Sequence, residues 1–122
     1  MRKALLLIAH GSRYEEANED LRWLADALAK RGRYSAIEPA FLELAEPTIE
    51  QAGDRCVARG AERVLLVPYF LSGGLHVRED LSAARDELQR KHPQVEFRLC
   101  EPLGRHDLLI DVIESRISEA DR

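Results

Sequence analysis

Cysteine is scarce in this chain: Cys56 and Cys100 are the only two in 122 residues, far apart and outside any CxxC pair. A structural zinc site needs more clustered ligands. Both are therefore expected to be unpaired, reduced thiols in or near the core. Long apolar runs are missing too. The longest, Ala4 to Ala9 behind Met1, Arg2 and Lys3, falls far short of the ~20 apolar residues of a membrane span. It also lacks the length and cleavage site of a secretory signal, so a cytoplasmic protein with no membrane partner is expected. Nor is there an excess of base. The 18 lysines and arginines stand against 22 acidic residues, a net charge of −4, which points away from a nucleic-acid partner. No linker, internal repeat or low-complexity stretch divides the chain, and 122 residues suit a single domain over 1–122. What is present, 45% hydrophobic and 33% charged residues, is the mixture of a soluble globular protein. A chain this short buries one core, and a large active site would draw on a partner subunit.

The apolar pattern switches between two periods. Ala4 to Ala9 is continuous and ends at His10-Gly11-Ser12, as in a strand buried on both faces. Tyr14 to Arg31 carries Ala17, Leu21, Leu24, Ala25 and Leu28 at helical spacing and stops at Gly32. Ser35 to Leu44 reads as a second strand. Glu46-Pro47 opens the next helix, with Pro47 at or near its first position, and Gly60 closes it. Arg63 to Phe70 is a third strand, broken by Ser72-Gly73-Gly74. His76 to Lys91 is a third helix, Val95 to Leu99 a fourth strand, and Asp107 to Ser118 a last helix. This βαβαβαβα order predicts an α/β fold: a three-layer sandwich around a four-stranded parallel sheet, helices on both faces, with flavodoxin-like topology. Trp23, inside the first helix, is expected to pack rather than to stack on a ligand.

In such folds ligands bind beyond the carboxyl ends of the strands, near the switch in strand order. Found there are His10-Gly11-Ser12-Arg13, then Glu43, then the segment from Pro68 to His76, then Cys100-Glu101-Pro102. His10 alone fits a structural residue bonding loop backbone as well as a functional one, and His76 alone fits a capping residue equally well. With Glu43 they form a set of two imidazoles and a carboxylate that suits a divalent transition metal with open positions. Arg13 and Arg78 fit either the carboxylates of an anionic ligand or open solvent. Tyr69-Phe70 brings a ring to the edge that can flank a flat ligand. Ser72-Gly73-Gly74 lacks the Walker A pattern and its lysine. His92 and His106 read as surface, capping or structural residues.

Three segments carry a family resemblance: Leu7-Ile8-Ala9-His10-Gly11-Ser12-Arg13, Phe41-Leu42-Glu43-Leu44-Ala45-Glu46-Pro47, and Val67 through Phe70-Leu71-Ser72-Gly73-Gly74-Leu75-His76 to Asp80. In order and spacing they resemble the CbiX-type sirohydrochlorin chelatases, and the combination covers nearly the whole chain. The resemblance implies a chelatase-like fold. It also implies a lyase activity, insertion of Co²⁺, or in related enzymes Fe²⁺ or Ni²⁺, into a sirohydrochlorin-type tetrapyrrole of cobalamin or siroheme biosynthesis. It maps the active-site histidines to His10 and His76 and the acidic residue near the metal to Glu43. Ser12, Arg13, Tyr69 and Arg78 become the substrate contacts. The chain resembles the short form of the family. Longer relatives carry two such halves, so a homodimer with the cleft near the interface is expected. Leu75 departs from the pattern, because many relatives have a polar or basic residue there.

The implied chemistry suits the residues. Insertion of M²⁺ displaces two pyrrole protons, and a neutral imidazole can bind a metal or accept a proton near neutral pH. His10 and His76 would present the metal to one face and take up protons, with Glu43 orienting an imidazole or relaying a proton. The divalent metal is a substrate, and no organic cofactor is required. Two alternatives stay open: a non-catalytic metal or tetrapyrrole carrier with the same fold, and a flavodoxin-like interaction module with structural histidines.

Overall fold

The computed structural model describes residues 1–122. Its centre is the apolar run of strand β1 (Lys3–Ala9), in which Ala4 to Ile8 are all fully or nearly fully buried. Helix α1 (Glu15–Ala29) leads to β2 (Ala36–Phe41), α2 (Ile49–Ala58) to β3 (Arg63–Pro68), α3 (Leu75–Lys91) to β4 (Glu96–Leu99), and α4 (Asp107–Ala120) follows. All strand pairs are parallel, in the order β2-β1-β3-β4. The expected α/β fold with a four-stranded parallel sheet is the one observed. The strand order reverses direction between β1 and β3, so a crevice opens beyond their carboxyl ends.

The two faces of the sheet are covered unequally. Leu21 and Ala25 of α1 pack against Leu5, Leu7 and Phe41 on one side. On the other, Ile49, Ala52 and Cys56 of α2 and Leu81 and Leu88 of α3 pack against Leu6, Ile8, Val64, Leu66 and Phe97. Each fully buried leucine or phenylalanine contributes roughly 1.5–3 kcal/mol. Cys56 and Cys100 are both free thiols. Burial pushes the Cys56 thiol up to about 12, with Glu38 adding to the shift and Arg59 opposing it. The half-buried Cys100 thiol is also raised by burial. No helix is long and apolar enough to cross a membrane.

Three sequence expectations need correction. Pro47 is not at the first position of α2. The Glu46–Pro47 peptide is cis, and Thr48 is the N-cap. Its hydroxyl accepts from the Gln51 N–H at 3.2 Å while the Gln51 side chain accepts from the Thr48 N–H at 2.9 Å, and this reciprocal cap sets the start of the helix. Trp23 is not packed but 66% exposed, because two residues beyond Leu21 is about 200° around the helix. The last helix lies on neither face of the sheet, for no side chain of α4 is buried.

A carboxylate joins α2 to the end of α3. Asp54 accepts from Lys91 Nζ at 2.7 Å and lies 2.8 Å from His92 Nε2. Burial would raise its pKa, but the bonds to Lys91 and His92 outweigh that and hold the carboxyl below its ordinary value. The unfolded chain therefore binds this proton more tightly than the folded one. The stabilisation is full above the ordinary carboxylate range and vanishes as pH falls through the folded value. Solvent screening keeps it below about 1 kcal/mol. Asp54→Asn is expected to lower the urea midpoint slightly near neutral pH and to leave it unchanged at about pH 2, as urea titrations at both pH values would measure.

Candidate functional site

The carboxyl edge is assembled by backbone bonds that continue past the strands. Leu42 N–H donates to the Ala9 carbonyl and Glu43 N–H to the His10 carbonyl, both at 3.0 Å, so the β1–β2 pairing runs on into the loops. Tyr69 N–H donates to the Ile8 carbonyl at 2.7 Å on the other side. His10 thus leaves β1 between the chain after β2 and the chain after β3, at the switch point. Its side chain is exposed at the edge, and its ring lies 4.7 Å from that of Phe70, tilted by 32°.

Gly11 makes this turn possible. Its φ is +95°, and a Cβ there would sit 1.8 Å from the Glu43 carbonyl oxygen. The following residues are tied down by Asn18, a polar side chain only 3% exposed on the inner face of α1. Ser12 N–H donates to Asn18 Oδ1 at 3.0 Å, and Asn18 Nδ2 donates to the Ser12 carbonyl at 2.9 Å. The Ser12 hydroxyl accepts from the Tyr14 N–H at 3.0 Å, holding the entry to α1.

His10, Ser12, Asn18 and Tyr69 line one small cavity of ≈ 250 Å³. Arg78 belongs to a second and larger one, ≈ 620 Å³, beyond the ends of β3 and β4, where Ser72, Glu101, Arg105 and His106 also contribute. His76, Glu43 and Arg13 line neither cavity. His76 is exposed in the first turn of α3, beside Val77, and Gly73 just before the helix faces Val77 and the Phe70 ring. Phe70 therefore lies beside His10 on one side and Gly73, just before α3, on the other. No three His, Cys, Asp or Glu side chains come close enough to hold an ion. His10, Glu43 and His76 share the edge without forming a three-ligand cluster. Leu44, next to Glu43, has φ 62°, and Arg105, in the larger cavity, has φ 59°, a region that bulky residues rarely adopt.

Two contributors were not singled out from sequence. Asn18 interrupts the apolar face that Leu21 and Ala25 continue, and a polar residue in that stripe is its signal. Arg105 follows Gly104 in the loop after β4 and has no comparable signal. His106 caps α4: its Nδ1 accepts from the Leu108 N–H at 3.2 Å.

A parallel sheet with an imidazole at the β1–β3 switch point is the frame of an α/β ligand-binding protein. The chain belongs to the CbiX family, which it matches over residues 4–120. It is 35% identical over 113 residues to a chloroplastic sirohydrochlorin ferrochelatase of Arabidopsis thaliana, across 93% of this chain and 50% of that one. It is 30% identical to a sirohydrochlorin cobaltochelatase of Methanocaldococcus jannaschii, across 93% of this chain and 96% of that one. Among solved structures, the sirohydrochlorin chelatase SirB of Bacillus subtilis subspecies spizizenii in complex with cobalt matches with a TM-score of 0.88 and 26% identity, across 98% of this chain and 51% of that one. The chain thus spans about half the length of the Arabidopsis and Bacillus proteins and nearly all of the Methanocaldococcus one.

Proposed function

We propose that this protein is a metal chelatase that inserts a divalent metal, Co²⁺ first and Fe²⁺ or Ni²⁺ as alternatives, into a sirohydrochlorin-type tetrapyrrole for cobalamin or siroheme biosynthesis. It acts in the cytoplasm as a homodimer of single 1–122 domains. The observation that carries the reading is His10, presented at the β1–β3 switch point by the Gly11 turn and backed by Phe70, in a chain of the CbiX family. The ferro- and cobaltochelatase relatives support both metals.

His10 and His76 receive the metal and the pyrrole protons. Each M²⁺ that enters the macrocycle releases two N–H protons, and a neutral imidazole can accept one. Glu43, whose N–H is bonded to the His10 carbonyl, orients the histidine turn or passes a proton onward. Arg78, beside Ser72 in the larger cavity, pairs with peripheral carboxylates of the macrocycle. Arg13, Ser12 and Tyr69 complete the substrate contacts. Because no three-ligand cluster is preformed, the macrocycle nitrogens complete the coordination, which suits a metal that must be handed over rather than retained.

Sirohydrochlorin insertion assays with Co²⁺, Fe²⁺ and Ni²⁺ in parallel, followed by absorbance, test this. Many turnovers with at least one metal are expected. Binding that stops at one equivalent per site would establish the carrier instead, and no reaction with any metal would end the chelatase reading.

A further inference from the structure

The larger cavity, ≈ 620 Å³, holds cations that the fold does not use. Arg78 of α3 and Arg105 of the loop after β4 both line it, and neither guanidinium is ion-paired. Elsewhere on the sheet, Arg59, Arg63 and Arg98 each engage a carboxylate. The one carboxylate in the cavity lining, Glu101, pairs with neither arginine. His106 adds a donor. Its Nδ1 accepts from the Leu108 N–H at 3.2 Å, so the neutral ring carries its proton on Nε2 and has an N–H to offer. Arg105 is moreover held in a conformation that disfavours it. Its φ is 59°, a left-handed region in which a Cβ crowds the backbone and an arginine has no short polar group to compensate. The surrounding bonds impose it. Leu103 N–H donates to the Phe70 carbonyl at 3.1 Å and Gly104 N–H to the Leu71 carbonyl at 2.7 Å. A Cβ on Gly104 would lie 2.2 Å from that Leu71 oxygen. The loop after β4 is thus fastened to the loop after β3, and strain of this kind persists where the neighbours over-determine a position. Arg105 is fixed relative to Phe70 and, through that ring, to His10.

We infer that Arg105 is a substrate-binding residue which, with Arg78, forms a two-guanidinium clamp for carboxylates on one edge of the macrocycle. The inference rests on the tetrapyrrole part of the proposed function and deepens it, adding a residue and a rule of substrate choice. The layout suits a wide, flat ligand. Tyr69 borders the His10 cavity and Leu71 the larger one, so the two cavities flank the end of β3. Neighbouring strands lie ~4.8 Å apart, which sets the clamp roughly 5–10 Å from His10. That is the span from the centre of a macrocycle, where the metal enters, to the carboxylates of its rim. A planar guanidinium takes a carboxylate through two parallel N–H bonds. Two of them in one cavity select for two acidic arms on the same edge. The His106 Nε2–H and the Ser72 hydroxyl, in the same lining, offer further donors. Glu101 repels an arm that enters on its side, which narrows the choice of orientation. A rim without charge would leave both guanidiniums unpaired, so the clamp discriminates by what it fails to satisfy.

Equilibrium titration of the full chain with metal-free sirohydrochlorin, read by fluorescence, tests the clamp beside the same titration with the macrocycle's carboxylates converted to methyl esters. Arg105→Gln is expected to weaken binding of the acid by about 10- to 100-fold. Against the ester, wild type and Arg105→Gln should agree within about twofold, which a merely structural role of Arg105 would not produce. Arg105→Lys keeps the charge without the paired bonds and should fall between wild type and Arg105→Gln. Arg105→Gly removes the left-handed strain together with the guanidinium. It should bind the acid as poorly as Arg105→Gln, with a melting temperature no lower than that of the wild type. Acid binding by Arg105→Gln within about twofold of wild type, or an equal loss against acid and ester, would overturn the inference. Insertion assays run in parallel separate it from the chelatase reading. A wild type that shows the Arg105-dependent binding but inserts no metal leaves the clamp standing and removes the activity. Turnover in which Arg105→Gln has the KM of the wild type removes the clamp and keeps the activity.

Discussion

His10→Ala is expected to lower the rate of metal insertion by at least about 100-fold, the low end of what a positioned proton acceptor contributes. His76→Ala should do the same. The loss will not be a folding defect. The His10 side chain is exposed and its main packing contact is the tilted Phe70 ring, so truncation costs no more than about 1 kcal/mol. Residues that act as a unit lose their effect together. The double variant is therefore expected to be about as slow as the slower single one, rather than slower by the product. Steady-state insertion rates for the two single variants and the double, with melting temperatures alongside, check this. A variant that keeps more than half of the wild-type rate with an unchanged melting temperature removes that histidine from the mechanism.

Gly11→Ala should be the most damaging single methyl in the molecule. The new Cβ would meet the Glu43 carbonyl oxygen at 1.8 Å and the Phe41 Cβ at 3.2 Å, at a backbone φ of +95°. Both the left-handed strain and the backbone clash act against the folded state, and the Glu43–His10 hydrogen bond has to yield. A loss of more than about 3 kcal/mol and a drop in melting temperature on the order of 10 °C are expected. Insertion activity should fall with it, because the same turn presents His10. Gly32→Ala is the control: its φ is also positive, at +67°, but nothing lies within 4 Å of a new Cβ. It carries the strain without the clash and should cost about 1 kcal/mol. Equal melting temperatures for the two variants would show that the turn adapts.

The sheet was legible in the sequence because its signals are local and redundant. A continuous apolar run flanked by turn residues marks β1 as central, and alternation with helical periods makes the sheet parallel. The edge positions of His10, Glu43 and His76 followed from the same logic. What periodicity leaves open is which surface meets which apolar face. Ile110, Ile113 and Ile117 have the same signature as Leu21, Ala25 and Leu28, yet the first set is exposed. The start of α2 was misjudged because Pro47 and Thr48 both signal a helix start, and the reciprocal Thr48–Gln51 cap prevails. Arg105 was invisible for another reason: its place in the cavity depends on a left-handed backbone and on loop bonds between Leu103, Gly104 and the chain after β3. Side-chain proximity at the edge is likewise beyond strand register, which places residues at an end but not within ligand distance of each other.

The solitary build of α4 bears on how the last turns of the chain acquire order. Fourteen residues are too few to hold a helix in water on propensity alone, since isolated helices shorter than ~12–15 residues are marginal. With no buried side chain to anchor it, an undocked α4 exchanges between helix and coil on the sub-microsecond scale of free peptides. Its amide hydrogens then gain protection only to the extent that another surface covers it. Slow hydrogen exchange in this segment thus reports whether another surface covers it, whereas exchange in β1 is set by the core.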